Sequence, residues 1–196
     1  YKRQELEDAL SEGIGFDGSS IEGLTRVHES DMLLKPDPST FQVLPWGSED
    51  DKVARMLCDV LTPDGEQARS DPRGTLERTV QRATDMGFTV MVHPEIEFYL
   101  LHKPATPDHL VPIDGAGYFD HVTRSIAHDF RRRLVHMLES MDIAVELSHH
   151  EGGPGQNEVD LRAVDAVRAA DNIITARTLI EYCLLYTSPS PRDRSL

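Results

Sequence analysis

The chain has 196 residues and a formal net charge of −14, with 34 acidic against 20 basic side chains. This negative charge argues against nucleic acid or an anionic membrane as a partner. Hydrophobic residues make up 39% of the chain, which is compatible with a folded core, and no apolar run approaches the roughly 20 residues that span a bilayer. We expect no signal peptide at the start and no disulfide framework from two cysteines, so the expected location is cytoplasmic.

The amino-terminal part predicts a short helix, a glycine-rich loop and several short strands. The helix is predicted at residues 4–12, and the strands at residues 32–34, 41–45 and 54–60. Residues 13–18 also match G-x-G-x-x-G, the pattern of a dinucleotide-binding turn. That motif requires a strand before it and a helix after it, so we reject a dinucleotide site and predict a loop.

A helix is predicted from Asp71 to Gly87, because both of its boundaries carry typical residues. Asp71 is a capping acid, and Pro72 occupies the first helical position. Apolar residues then repeat at helical spacing until Gly87 ends the pattern. The change from short strands to this helix puts a domain boundary near residue 70.

Residues 88–101 predict a strand that carries two acids. Glu95 and Glu97 point to the same face, because side chains alternate along a strand. Apolar residues on both faces predict a strand buried on both sides, where two carboxylates need a partner or a metal ion. Pro94 cannot donate to a sheet, so we expect a bulge or a sheet edge there.

A loop is predicted at residues 103–117, and a long amphipathic helix at residues 122–141, where apolar residues recur every three or four positions. The arginine run at residues 131–133 is predicted to be a solvated face. Tyr118 lies between the loop and the helix. It is either a core tyrosine or a site residue, and the residues alone leave both interpretations open.

The stretch HHEGGPGQNE, from His149 to Glu158, lies between two runs of alternating apolar residues. This pattern predicts a strand, a tight loop and a second strand, followed by a helix at residues 163–182. Pairing of the strands would bring Glu151 and Glu158 to the same loop. Two facing carboxylates repel unless a proton or a cation lies between them. A solvated hairpin tip is the alternative for this stretch taken alone.

Glu95, Glu97, Glu151 and Glu158 together offer four carboxylates. Oxygen ligands suit Mg²⁺ or Mn²⁺ better than zinc, which takes more histidine and cysteine. Four acids exceed what one magnesium ion usually takes from protein. Two ions that clamp a phosphoryl group would explain the number.

Five stretches of this sequence resemble type I glutamine synthetase, in particular the additional glutamine synthetases of actinobacteria. They are GFDGSSIEG (15–23), ESDM (29–32), HPEIEF (93–98), GYFD (117–120) and VELSHHEGGPGQNEVDLR (145–162). The resemblance implies an α+β fold with a partial amino-terminal β-grasp-like domain over residues 1–70. An incomplete catalytic domain, with a curved, mainly antiparallel sheet and flanking helices, follows over residues 71–182. Residues 183–196 are expected to be a disordered tail, and residues 184–196 resemble a translated sequencing adapter.

The resemblance implies ATP-dependent ligation of ammonia to the side-chain carboxylate of glutamate. The reaction proceeds through γ-glutamyl phosphate and gives glutamine, ADP and phosphate. The implied partners are glutamate, ammonium, ATP and two or more Mg²⁺ or Mn²⁺ ions per site. The family forms homo-oligomers with a dodecamer-like double ring. The alternatives are a ligase that uses a polyamine or ethanolamine, and a non-catalytic structural relative.

The resemblance also assigns ligands to the metal ions. Glu97, Glu151 and Glu158 would hold one ion, and Glu95 would belong to a second ion on the nucleotide side. That second ion takes a histidine and a glutamate from beyond residue 182 in the family. The 196 residues alone are therefore expected to be nearly or wholly inactive.

The remaining roles implied by the resemblance concern the substrates. Asp17 and Ser20 would lie in a loop that reaches a neighbouring subunit's active site, where the aspartate helps to take a proton from ammonium. Tyr118 would close the ammonium pocket, His150 would lie near the transferred phosphate, and Glu146 would contact the nucleotide. The sequence departs from the family at Leu24 and Ala163, where aromatic residues are usual, which weakens the expectation of ring contacts there.

Overall fold

The computed structural model describes residues 5–22, 31–47, 50–103, 105–106, 108–121 and 125–187. Its helices are α1 (Leu6–Glu12), α2 (Pro72–Asp85), α3 (Ile126–Ser140) and α4 (Ala166–Thr187). Its strands are β1 (Ile14–Asp17), β2 (Asp31–Pro36), β3 (Gln42–Val43), β4 (Ala54–Arg55), β5 (Cys58–Leu61), β6 (Met91–Val92), β7 (Glu95–Tyr99), β8 (Val145–His150), β9 (Gln156–Leu161) and β10 (Val164–Asp165). The described residues fall into two compact units, one within 1–90 and 165–171 and the other within 91–164 and 172–196.

The first unit contains a three-stranded antiparallel sheet in the order β1-β2-β5. The loop predicted at residues 13–18 is wrong, because most of this stretch forms β1. Ile14 and Phe16 are half-buried and alternate with exposed neighbours, so the stretch behaves as a strand with one covered face. Gly13 makes the turn from α1 with a φ of 83°. A helix rather than a strand precedes the glycines, as the rejection of a dinucleotide site requires.

Helix α2 begins and ends as its sequence predicts. The Asp71 carboxylate accepts hydrogen bonds from the backbone N–H groups of Arg73 and Gly74, at 3.2 and 3.1 Å. These bonds satisfy two of the donors that a helix start leaves unpaired. Gly87, with a φ of 85°, follows the helix in the left-handed conformation that favours glycine.

One arginine connects several elements of the first unit. The Arg73 guanidinium contacts four carboxylates at N···O distances of 2.5 to 3.1 Å: those of Asp37, Asp59, Glu77 and Asp171. These acids lie next to β2, in β5, in α2 and in α4. The planar guanidinium can donate five hydrogen bonds, which suits it to such a junction.

The second unit contains a three-stranded sheet in the order β7-β9-β8, in which both neighbouring pairs are antiparallel. Helix α3 packs on one face of this sheet. The Phe98 and Phe130 rings lie 5.6 Å apart, and Leu134, Leu138 and Val159 are fully buried. Phe98 and Val159 therefore belong to the covered face, whereas the side chains that alternate with them belong to the other face.

Strand β7 is not buried on both sides, so that prediction is wrong. Glu95, Glu97 and Tyr99 are exposed, and Ile96 and Phe98 are half-buried. The reason is the position of β7 at the edge of the described sheet, where only the face toward α3 is covered. Pro94, just before the strand, accepts a hydrogen bond from the Leu161 N–H at 2.9 Å.

Two helices of the second half differ in extent from the predicted ranges. Helix α3 starts at Ile126, where the Ser125 hydroxyl caps it by accepting the His128 N–H at 3.1 Å. Helix α4 continues through Thr187 into the segment expected to be a tail, and Cys183 is buried there, 3.4 Å from the Met137 sulfur. Residues 122–124 and 188–196, like Leu24, lie outside the described residues.

None of the helices in the described part of the chain combines the length and the apolar character needed to cross a lipid bilayer. The α+β fold class is confirmed, with a strand-rich amino-terminal unit and a mainly antiparallel sheet flanked by helices. The domain boundary near residue 70 stays a prediction.

Candidate functional site

The strand register brings acids from two strands to one face of the second unit's sheet. Glu97 on β7 lies opposite Glu158 on β9, and His149 on β8 lies opposite Glu158 from the other side. Directly opposite residues in antiparallel strands point to the same face. Glu97, Glu158 and His149 therefore share the face that α3 leaves uncovered.

Three side chains converge on this face closely enough to hold one metal ion. His149, Glu151 and Glu158 each offer a ligand atom, and the three atoms lie within 4.8 Å of one another. Glu158 is buried and Glu151 is half-buried beside the loop between β8 and β9. The predicted meeting of Glu151 and Glu158 is present in the structure, and Glu158 is buried, whereas Gly152 and Pro154 at the tip of the loop are exposed.

The orientation of the His149 ring favours metal binding. Its Nδ1 lies 3.0 Å from the His150 carbonyl oxygen, which can only accept, so a neutral ring carries its proton there. The Nε2 lone pair then faces the Glu158 carboxylate at 3.5 Å. Two electron-rich atoms facing each other fit a bound cation, and a backbone carbonyl is a usual orienting partner for a metal-binding histidine.

Glu158 has an unfavourable electrostatic environment. Burial, together with the charge and a hydrogen bond of Asp160 and the charge of Glu97, raises the pKa of Glu158 to about 7, while His149 acts in the opposite direction. One buried oxygen of Asp160 has no hydrogen-bond partner among the described residues. Accumulated negative charge of this kind is relieved by a divalent cation, so the residues present fit Mg²⁺ or Mn²⁺.

Gln156 holds Glu97 and the hairpin loop together. Its Nε2 donates a hydrogen bond to the Glu97 carboxylate, and its Oε1 accepts the Gly153 N–H at 2.9 Å. A Cβ added to Gly153 would lie 2.8 Å from this Oε1 and 2.9 Å from the Tyr99 hydroxyl. The loop can approach these two side chains closely because position 153 has no side chain.

Three of the predicted site residues lie outside the converging group. Glu97 contributes no atom to it, although the resemblance assigns Glu97 to the same ion as Glu151 and Glu158. Glu95 is exposed on the same face, opposite Asp160, and contributes no atom to the His149, Glu151 and Glu158 group. Glu146, assigned to the nucleotide by resemblance, is 58% exposed, with its carboxylate 3.5 Å from His93 Nε2.

His150 is buried behind the acids. Its Nε2 lies 3.0 Å from an Asp114 carboxylate oxygen and its Nδ1 lies 2.7 Å from the Glu151 carbonyl oxygen. The same Asp114 oxygen accepts the Gly155 N–H at 3.0 Å. Although burial acts to raise the pKa of Asp114, the hydrogen bonds from His150 and the backbone lower it. His150 and Asp114 thus brace the loop that carries Glu151.

Tyr118 is 64% exposed, so the core-tyrosine interpretation is wrong. Its ring meets the His149 ring edge-on at 5.4 Å, and Phe119 stacks on His149 at 4.3 Å. Phe119 has a φ of 57°, which is unfavourable for a bulky residue and is held here by a 3.0 Å hydrogen bond from its N–H to the His150 carbonyl oxygen. Sequence reasoning missed Phe119, for which GYFD alone gives no signal.

Asp17 and Ser20 belong to the first unit. The exposed Asp17 carboxylate accepts bonds from the Ser19 N–H at 2.9 Å, the Ser19 hydroxyl at 2.6 Å and the Ser20 hydroxyl at 3.2 Å. These bonds, first those of Ser19, lower the pKa of Asp17. The two predicted residues thus meet each other in a 3₁₀ turn over Gly18–Ser20.

Arg131 contradicts the prediction of a solvated arginine run, because it is buried, although Arg132 and Arg133 are exposed. It donates a hydrogen bond from Nη1 to the Asn157 side-chain oxygen, and Asn157 donates to the Gly155 carbonyl oxygen at 2.9 Å. Burial lowers the pKa of Arg131, and the charge of Asp114 opposes this. The network supports the hairpin loop from the face opposite the acids.

A cavity of about 370 Å³ adjoins His149. Its basic lining comprises His121, His128, Arg131, Arg132, His136, His149 and His150. The lining also includes Asp120, but basic side chains predominate, so the cavity offers room for an anionic group beside His149.

Solved structures of the same fold are glutamine synthetases and their relatives. A GmaS complex with ADP aligns with a TM-score of 0.80 at 22% identity, covering 93% of this chain and 42% of that one. The Plasmodium falciparum glutamine synthetase aligns with a TM-score of 0.78 at 21% identity, covering 91% of this chain and 40% of that one. At these identities the likeness defines the fold, which is that of glutamine synthetases.

The sequence profile of the glutamine synthetase β-grasp domain matches residues 1–63, and that of the catalytic domain matches residues 69–183. The chain therefore belongs to the glutamine synthetase family, and the assignment from its motifs is confirmed. Glutamine synthetase from Mycolicibacterium smegmatis is 54% identical over 181 residues, and that from Methanosarcina mazei is 43% identical over 179. These alignments cover 90% and 91% of this chain but 40% of each relative, so the chain spans less than half of their length.

Proposed function

We propose that this chain is part of an ATP-dependent glutamate–ammonia ligase, which forms γ-glutamyl phosphate and converts it to glutamine with release of ADP and phosphate. The observation that carries this proposal is the convergence of His149, Glu151 and Glu158, with Glu97 opposite Glu158. A structural protein has no need of acids that converge in this way on a buried carboxylate.

Glu97, Glu151 and Glu158 would hold one Mg²⁺ or Mn²⁺ ion, with His149 as an additional ligand. When bound, such an ion neutralises charge on a phosphoryl group that is being transferred. The chain's own residues prepare this site. The His150 carbonyl orients the His149 ring, Gln156 orients the Glu97 carboxylate, and the Gly153 N–H holds Gln156 in turn.

The other assigned roles rest on the family. We propose that Glu95 belongs to a second ion, that Glu146 contacts the nucleotide, and that His150 lies near the transferred phosphate. The basic cavity beside His149 supports the presence of an anion there. The exposed ring of Tyr118, next to His149, supports a contact with substrate.

We also propose that the first unit takes part in the deprotonation of ammonium and in the assembly of subunits. Asp17 and Ser20 would act in the site of a neighbouring subunit within a cytoplasmic double ring, with Asp17 accepting a proton from ammonium. The hydrogen bonds from Ser19 lower the pKa of Asp17 and so favour its charged form, which suits a contact with the ammonium cation.

Metal binding can be tested on this chain directly. We expect calorimetric titration to detect Mn²⁺ binding by the wild type and at least about a tenfold loss of affinity in Glu151→Gln and Glu158→Gln. Asp85→Asn is the matched control, because it removes one exposed acid from α2. Equal affinities in all four proteins would refute the metal centre.

The reaction can be tested in a chimera, in which residues 1–182 replace the corresponding part of the Mycolicibacterium smegmatis relative. We expect ADP release that needs glutamate and ammonium and that falls at least about tenfold in Glu158→Gln. Putrescine and ethanolamine are offered in place of ammonium. If the folded chimera prefers putrescine or ethanolamine, that amine takes the place of ammonia in the proposed reaction. If the folded chimera releases no ADP, the proposed ligase activity is wrong.

A further inference from the structure

Asp160 is a buried acid that the family assignment leaves without a role. Its side chain is 8% exposed, and its Oδ1 is buried without a hydrogen-bond partner among the described residues. It lies two residues after Glu158 on β9, so both side chains point to the uncovered face of the sheet. Across the strands it lies opposite Glu95 and Leu147.

Asp160 lies close to two other acids. Glu158 interacts with it through its charge and a hydrogen bond, and Glu95 is its partner in the strand register. A carboxylate oxygen that is withdrawn from water and has no donor loses its hydration without replacement. Closely spaced carboxylates attract a divalent cation, and such a cation would compensate the charge of Asp160.

We propose that Asp160 is a further carboxylate ligand of the divalent-cation centre, binding on the Glu95 side of Glu158 through Oδ1. This inference rests on the proposed metal centre of Glu97, Glu151 and Glu158. Neither Asp160 nor Glu95 contributes an atom to the converging group, so Asp160 would extend the centre along β9 toward Glu95. Asp160 thereby links that group with the second ion position.

A metal ligand and a residue that serves only the fold differ in how their replacement changes metal binding and stability. A residue that serves only the fold destabilises the protein when it is replaced. A ligand held in unfavourable surroundings behaves in the opposite way, because removal of its charge relieves repulsion in the metal-free protein and weakens the metal-bound form. The isosteric change Asp160→Asn keeps the side-chain volume and removes the charge.

The test measures Mn²⁺ affinity by calorimetry and the melting temperature at pH 8, with and without Mn²⁺, for the wild type, Asp160→Asn and Asp85→Asn. We expect Asp160→Asn to bind Mn²⁺ about tenfold more weakly, to melt higher without metal and to gain less on metal addition. Asp85→Asn should match the wild type in affinity. Electron paramagnetic resonance of bound Mn²⁺ should also differ between wild type and Asp160→Asn.

Three other outcomes would contradict the role of Asp160 or the metal centre itself. Equal Mn²⁺ affinity and equal spectra in wild type and Asp160→Asn would mean that water alone satisfies Asp160, which overturns the inference and leaves the metal centre intact. A lower melting temperature of metal-free Asp160→Asn would overturn it as well, since the residue would then serve the fold. A wild type that binds no Mn²⁺ would overturn the metal centre and the inference together.

Discussion

Glu158 combines three properties that oppose one another in a metal-free protein. It is buried, it lies next to Asp160 and opposite Glu97, and it faces the His149 ring at 3.5 Å. Burial and the two acids favour the protonated carboxyl. The position is therefore suited to a cation and unfavourable for a carboxylate by itself.

This environment predicts the pH dependence of stability. Because the pKa of Glu158 rises to about 7 in the fold from 4.5, the folded state binds more protons than the unfolded state between these values. Stability of the metal-free protein should therefore fall as the pH rises from 4.5 to 7. Glu158→Gln removes this effect, so we expect it to unfold at higher urea concentration than wild type at pH 8 and similarly at pH 4.5. A lower midpoint for the variant at pH 8 would contradict this.

At the scale of elements, α3 both covers the sheet and supports the hairpin. Its stripe of buried residues includes Arg131, four positions after Ala127 and three before Leu134. This spacing puts Arg131 on the apolar stripe, so helical periodicity could have identified it. Reading the three arginines as one solvated face ignored that consecutive helical residues point in different directions.

We expect Arg131→Met to destabilise the protein by about 2–3 kcal/mol, since Asn157 would keep a buried oxygen without its charged donor. Urea unfolding provides the measurement. Arg133→Met is the matched control on the same helix and should change stability by less than about 0.5 kcal/mol, because Arg133 is exposed. Similar effects of the two changes would argue against the Arg131–Asn157 support.

At the scale of the whole molecule, the second unit leaves part of one face of its sheet exposed, while α3 covers the other face. The uncovered face carries the acids, and its edge strand β7 leaves Glu95 and Glu97 accessible. An open acidic face next to buried acids suits a site that takes up cations from solution. Because only the folded state binds the cation at this site, the metal-bound protein should be more stable than the metal-free protein.

We expect Mn²⁺ to slow amide hydrogen exchange in β8 and β9, the strands that carry His149 and Glu158. At a concentration 100 times the dissociation constant, binding should add about 2.7 kcal/mol to the opening free energy. Amides of β2 and β5 in the first unit serve as the internal reference. Unchanged exchange in β8 and β9 under saturating Mn²⁺ would contradict the position of the site.

The sequence by itself determined the local elements and the family. Asp71 and Pro72 start α2 through contacts within a few residues, and the motifs around Glu95 and His149 identify glutamine synthetases without any knowledge of packing. The same local reasoning could propose that Glu151 and Glu158 meet, because a short loop joins them. Signals of this kind survive in sequence because the interacting residues are neighbours in the chain.

Only the tertiary structure decided which of these residues are buried. Glu158 is buried because β9 is the central strand, whereas Glu97 is exposed because β7 is at the edge, although both alternate with apolar residues in the same way. Arg131 is buried because α3 turns it toward Asn157, 26 residues away. Strand order and the covering of a face arise from pairing between distant segments, and alternation along one strand does not encode them.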